Sequence, residues 1–399
     1  MRRIRFWYNY SNRSDYRRNK DLLNSVINDE MLDELLTKAG ISTQDEARKD
    51  LNEQKTEEIL EAQRCLSNIY KQCHKAQDLA LNNSTLPGVM HQVTKYKEYQ
   101  IPALIISFDM RILIFVTAYR PESRTFVVVE HRGLSRLMDV IGRFDGMTQL
   151  DNDLNAINDI LRALFNLTCG FEDKVCDEEE SIGMEHLCGL TRDLISTPVE
   201  NGEKKFTLVG NCVNLLTNFQ GPWTGPLLEK SVKAEEEEIE YDGKNMNTIH
   251  ILVQYLDHSL SKTDGDKAHE SLQQNLAPIL KVLFTLSSTH RTVRKYLKQE
   301  ILPPKRDLNQ RPEQGIQLKG KLCRLLTSPS NVASMIAEFL FILSKEKVGR
   351  LVKHTGYGNA AGLLARKGLM LDMGRRGENN YSDTDTDSDT EDYVANAHK

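Results

Sequence analysis

Four hydroxyls near the C-terminus carry the most explicit chemistry in this chain. Ser382, Thr384, Thr386 and Ser388 lie in YSDTDTDSDTEDY, and each has an acidic residue three places on: Asp385, Asp387, Asp389 and Glu391. That spacing suits an acidophilic protein kinase, which is thereby implied as a partner. Each phosphate would add about −1.5 to −2 charges and three strong acceptor oxygens. A ligand for such a segment must be cationic, and THRTVRKYLK supplies one. On a helix, Arg291, Arg294, Lys295 and Lys298 fall on one side at three- and four-residue spacing. Arginine forks bind phosphate oxygens in pairs. The expectation is a phosphorylated tail folded back onto this basic side; a solvated charged helix face is the plainer alternative.

Other patterns that accompany catalysis break down when their context is read. Gly356-Tyr-Gly-Asn-Ala-Ala-Gly362 imitates a dinucleotide loop, but that motif needs a preceding strand. Here AEFLFILSKEKVGRLVKHT reads as helix, so Gly356 or Gly358 is expected to end one helix and Asn359 to cap the next, over 360–371. Gly315 to Lys321 resembles a phosphate loop until Leu322, which stands where Ser or Thr must hold magnesium. The ten histidines form no HExxH, no GxSxG occurs, and Asp151 and Asp153 read as helix-start carboxylates. Asn166-Leu-Thr fits a glycosylation sequon but lies in an apolar helix. No catalytic residue, metal site or cofactor is indicated.

The elements that must position these groups are helical. Of the 399 residues, 27% are charged and only 7% aromatic, ordinary for a soluble helical protein. The net charge of −5 argues against nucleic acid as partner, since phosphate binding needs a basic face. The seven cysteines (65, 73, 169, 176, 188, 212 and 323) contain no CxxC pair; Cys65, Cys212 and Cys323 sit among apolar residues, as small buried hydrophobes do. The N-terminus lacks the apolar run of a secretory signal. Ile101–Tyr119 is the most membrane-like segment, and Asp109 and Arg111 at its centre argue against a spanning helix. A cytoplasmic protein is expected, recruited at most to the membrane periphery.

One kind of segment recurs: an apolar helix with a small or amide residue inside it. The copies are RCLSNIY (64–70), RILIFVTA (111–118), LRALFNLT (161–168), CVNLLTNF (212–219), ILKVLFTLS (279–287) and AEFLFILS (337–344). The first steps are roughly fifty residues, the size of a helical repeat with its loops. Pro87-Gly88, Pro121, Pro198, Pro303-Pro304 and Pro329 read as breaks between helices, and an acidic insert occupies about 228–245. Thr125–Glu130 is the main strand candidate and fits a helix equally well. The fold class expected is all-α, an armadillo/HEAT-like α-solenoid superhelix with a disordered acidic C-terminal tail. An irregular helical domain is the alternative; six comparable helices favour the solenoid.

Asn68, Asn166, Asn214 and Asn218 lie inside these apolar runs, where an amide is costly unless satisfied. Each either bonds a neighbouring helix carbonyl or reaches from a groove to the backbone of a bound peptide.

The runs ILPPKRDLNQRPEQGIQLKGKLCRLLT and AEFLFILSKEKVGRLVKHTGYGNAAGLLARKGL, followed by the acidic ladder, resemble the synembryn family. Weaker similarity continues upstream to about Glu57. The resemblance implies a cytosolic guanine-nucleotide exchange factor and folding chaperone for heterotrimeric G-protein α subunits. It would grip the C-terminal tail of Gα in a concave groove, loosen the nucleotide pocket and hold the nucleotide-free state. It also places Arg64, Asn68, Arg111 and Asn166 on groove helices, matches the family phosphosites best to Ser382 and Ser388, and pairs them with Arg291, Arg294 and Lys295. The alternative function is an armadillo-type peptide scaffold without exchange activity. The expected organisation is an unmatched segment over 1–50, a repeat domain over 51–371 and a tail over 372–399. Family members continue beyond the equivalent of Lys399, which implies a divergent or incomplete product, or exchange reduced while tail binding persists.

Overall fold

Asp177 begins one helix by accepting from Glu180 N–H at 2.8 Å while the Glu180 side chain returns to Asp177 N–H. Asn28, Asn52 and Asn201 cap others in the same way with a single bond. The computed structural model in which these caps occur describes residues 27–144, 151–231, 239–261, 268–303, 311–328 and 331–369. The tail with its four hydroxyls, residues 232–238 of the acidic insert, and Pro304 and Pro329 lie outside the described residues. Two compact units divide the chain after Asn218.

The first unit runs α1 (Asp29–Lys38), a 3₁₀ turn (Asp45–Arg48), α2 (Glu53–Gln72), α3 (His74–Leu79), α4 (Thr85–Lys95), α5 (Ala103–Tyr119) and α6 (Pro121–Thr125). It continues through α7 (Gly133–Arg143), α8 (Asp151–Leu167), α9 (Glu178–Ser196) and α10 (Gly202–Leu216). Packing follows chain order: α1 on α2, α2 on α5, α5 on α8, α8 on α10. α5 is apolar nearly all round and buried between its neighbours, with Ile105, Ile106, Met110, Ile112, Leu113 and Val116 at 0% exposure. In a stack of this kind each helix's apolar face is covered only by the next repeat, the solenoid logic that the recurring segments implied.

The second unit has a 3₁₀ turn (Gly221–Leu228) and an antiparallel hairpin, β1 (Glu240–Tyr241) with β2 (Lys244–Asn245), Tyr241 facing Lys244. There follow α11 (Asn247–Ser261), α12 (Ala268–Thr289), α13 (Arg291–Ile301), α14 (Leu318–Leu325), α15 (Asn331–Leu343), α16 (Val348–Thr355) and α17 (Tyr357–Arg366). α12 is the hub, packed on α11, α13 and α15. All six recurring segments fall on helices that lead their unit's packing: α2, α5, α8, α10, α12 and α15.

Some local expectations are corrected. Pro87-Gly88 is no loop; both lie in the first turn of α4, where proline's missing N–H costs nothing, and Gly88 N–H bonds Ser84 O at 2.8 Å. The strand candidate is helical throughout, with a π-helical turn at Phe126–Glu130. Gly356, at φ +84°, does separate two helices, but the second starts at Tyr357, one residue after it, and Asn359 sits inside it with Nδ2 on Thr355 O at 2.9 Å. The glycines of the near phosphate loop have a packing reason: a Cβ on Gly320 would lie 1.9 Å from Gly315 O.

Candidate functional site

α2, α5 and α8 each carry one arginine at the head of its recurring segment: Arg64, Arg111 and Arg162, 47 and 51 residues apart. The side chains are 34%, 39% and 52% exposed, so the three form a half-open cationic row on one unit. Arg111 is held from both sides. Its Nε donates to Asp159 Oδ2 at 2.9 Å, and its guanidinium lies 4.9 Å from the Phe108 ring centroid. The Arg64 guanidinium is 5.9 Å from the same ring. Arg162 sends Nε to Asn211 Oδ1 at 3.2 Å and Nη1 to Asp159 Oδ1 at 3.1 Å. In both arginines Nε is tied to a neighbouring helix, and among the described residues both Nη groups of Arg111 and the Nη2 group of Arg162 make no hydrogen bond. Such guanidinium donors bind carboxylates with charge-assisted bonds. Arg162 escaped the sequence reading, although a step of 51 residues from Arg111 was the signal that could have found it.

The amides divide. Asn166 Nδ2 donates to Ile114 O at 3.0 Å and Thr117 Oγ1 at 3.1 Å. One repeat on, Asn218 Nδ2 donates to Phe165 O at 2.8 Å and Thr168 Oγ1 at 3.0 Å. The same bond pair thus recurs as an inter-helix staple. Asn218 is 3% exposed and Asn166 half-buried, so these nitrogens serve the stack itself. Asn214 is exposed on α10 and Asn68 half-buried on α2.

Beneath the arginine row lies a buried ionic hub. Asp109 accepts from Arg48 Nη1, from Arg48 Nη2 at 2.9 Å, from Gln63 Nε2 at 2.7 Å and from Tyr96 Oη at 2.6 Å. Arg48, Gln63 and Asp109 are all at 0% exposure. Burial opposes the Arg48 charge, and the Asp109 carboxylate more than offsets it, holding the guanidinium above its usual range. Burial and the same carboxylate push the Tyr96 hydroxyl well above its ordinary value. Arg48 also ties down Ala39 O, at 3.1 Å from Nε and 2.8 Å from Nη2. The hub therefore fixes the turn after α1 to α2 and α5, which carry Arg64 and Arg111. Cys65 and Cys212 are not poised as nucleophiles: burial pushes both thiols up to about 12.

In the second unit the four basic residues of α13 do not act alike. Arg294 is 8% exposed and its Nη1 donates to Ser287 O at 2.9 Å, at the C-terminal end of α12 where carbonyls attract a cation. Arg291 is exposed, and Lys295 and Lys298 half-buried; Lys295 Nζ lies 3.6 Å from Asp242 at the hairpin tip. Tyr241 of β1 meets Tyr296 edge-on at 5.8 Å, so the hairpin leans on this helix. Among the described residues no group of acidic, histidine or cysteine side chains is arranged to hold a metal ion, and no helix is long and apolar enough to cross a membrane.

A family model described as guanine nucleotide exchange factor synembryn matches residues 16–399. The matched range includes 16–50, where the sequence alone offered no resemblance. Chaperone Ric-8A of Gallus gallus is 35% identical over 393 residues, covering 94% of this chain and 70% of that protein. Chaperone Ric-8A of Danio rerio is 36% identical over 358 residues, covering 84% and 63%. Chaperone Ric-8 of Drosophila melanogaster is 32% identical over 379 residues, covering 88% and 65%. The chain spans about two thirds of the length of these relatives.

Proposed function

The chain belongs to the synembryn family of guanine nucleotide exchange factors, and from that premise we propose that it chaperones G-protein α subunits and promotes their GDP release in the cytoplasm. The row Arg64, Arg111 and Arg162 grips the C-terminal tail of Gα, with Asn68 and Asn214 alongside it. The carrying observation is the pair of arginines anchored through Nε with outer nitrogens left to present. Inner helices packed about 8–10 Å apart set the arginines at about that spacing. An extended segment rises about 3.3 Å per residue, so carboxylates about three residues apart, side-chain or terminal, meet successive arginines. The buried Phe108 ring supports the Arg64 and Arg111 guanidiniums from below.

Exchange on this reading needs no catalytic side chain. The protein binds Gα better when the helix leading to the nucleotide pocket is displaced, and that difference in affinity shifts Gα toward the open, nucleotide-free state. GTP then restores the pocket and ends the complex. Phosphorylation at Ser382, Thr384, Thr386 or Ser388 by an acidophilic kinase docks the tail on Arg291, Lys295 and Lys298, while Arg294 braces the helix that presents them.

The test is GDP release from a panel of purified Gα proteins, with the protein first treated or untreated with an acidophilic kinase. Faster release from at least one class, enhanced by phosphorylation, supports both parts. Stable binding with unchanged release would instead make the protein an armadillo-type peptide scaffold.

A further inference from the structure

Asp159 is a carboxylate shared by two half-exposed guanidiniums. Its side chain is 3% exposed and takes three donors: Ser107 Oγ at 2.5 Å, Arg111 Nε at 2.9 Å and Arg162 Nη1 at 3.1 Å. It therefore draws together an arginine from α5 and one from its own helix, α8, and leaves the trio with one net positive charge. Among the described residues the Nη nitrogens of Arg111 make no hydrogen bond, so the bond through Nε holds the side chain, 39% exposed, while its fork keeps its donors unused.

We propose that Asp159 is a positioning residue for anion recognition: it fixes Arg111 and Arg162 as a two-pronged clamp for a carboxylate of the Gα tail. This rests on the reading that the arginine row binds that tail. Held arginines lose little rotamer freedom on binding, whereas loose ones must be ordered at that moment. Charge and position make opposite forecasts for one substitution. Replacing Asp159 by Asn removes a negative charge and leaves the arginine pair at +2. If charge alone recruited the tail, binding would tighten; if position matters, binding weakens.

The experiment compares wild type with D159N in binding a synthetic peptide that copies the Gα tail, made both with a free terminal carboxylate and amidated. The Arg Nε–H signals are followed by NMR in the absence of peptide. The expected result is binding of the free-acid peptide weakened about tenfold, on the scale of one charge-assisted contact, with loss of the protected Arg111 Nε–H signal. Equal or tighter binding by D159N would overturn the proposal. If D159N does not fold, R111K serves, since it keeps the charge and lacks Nε; weakening supports positioning and unchanged affinity refutes it. Should the wild type not bind the peptide, the tail-binding reading fails. The Nε–H signal then judges the anchor by itself: persistence in D159N refutes it, and loss supports it.

Discussion

Replacing Arg48 by methionine should be among the most damaging single changes in the first unit. The Arg48 side chain is fully buried, and its guanidinium makes two bonds to Asp109 and two to Ala39 O. The substitution keeps most of the stem's packing and strands Asp109 in the core with only Gln63 and Tyr96 as donors. Removing one partner of a buried ion pair costs about 3–5 kcal/mol. For a unit of this size each kcal/mol moves Tm by about 2–4 °C, so a drop of roughly 6–20 °C is expected. D109L should cost a similar amount by stranding Arg48. The double variant R48M/D109L removes both charges together, so its loss should fall short of the sum by about 2 kcal/mol. Urea unfolding followed by circular dichroism reads all three. If R48M cost less than about 1 kcal/mol, or the double variant were additive, the hub would not be the coupled ionic element described here.

Three smaller predictions follow from the same geometry. N218A removes the amide donor from Phe165 O and Thr168 Oγ1 in a 3%-exposed site and should cost about 1–3 kcal/mol in chemical unfolding, more than N166A at its half-buried site. Burial, with the Lys244 charge adding to it, holds His290 below its ordinary 6.5, so below that pH the unfolded chain binds a proton that the folded chain resists. Its contribution to stability is therefore complete above 6.5 and falls as pH drops through that value toward the folded pKa; melting curves between about pH 7.5 and 5 should show a decline that H290Q reduces. G320A should destabilise α14, since its new Cβ would stand 1.9 Å from Gly315 O, with the loss read by thermal melting.

The helices were legible because their apolar runs recur, at first in steps of roughly fifty residues, and burial of Cys65 and Cys212 followed from those runs, that of Cys323 from its own apolar neighbours. Contacts that join repeats were not. Arg48 and Asp109 stand 61 residues apart, in unrelated local settings, and a lone aspartate in an apolar helix announces only that something must pair with it. Asn214 and Asn218 both lie in the apolar run CVNLLTNF, which does not tell a stapling amide from an exposed one. α10 ends at Leu216, so Asn218 leaves the helical phase and turns into the stack while Asn214 stays exposed. Arg294 shared a predicted side with Arg291, Lys295 and Lys298, but its reach to the end of α12 removes it from the exposed set. Of the arginine row, Arg64 and Arg111 were marked by resemblance, and Arg162 lay unread in LRALFNLT.

The most direct test of tail gripping is the affinity of this protein for a G-protein α subunit, measured with Gα intact and again with its C-terminal tail removed. Deleting the tail is expected to weaken binding at least about tenfold, equivalent to losing one or more charge-assisted contacts to the arginine row. Equal affinity for the two forms would contradict it, because Gα would then be held by some surface other than Arg64, Arg111 and Arg162.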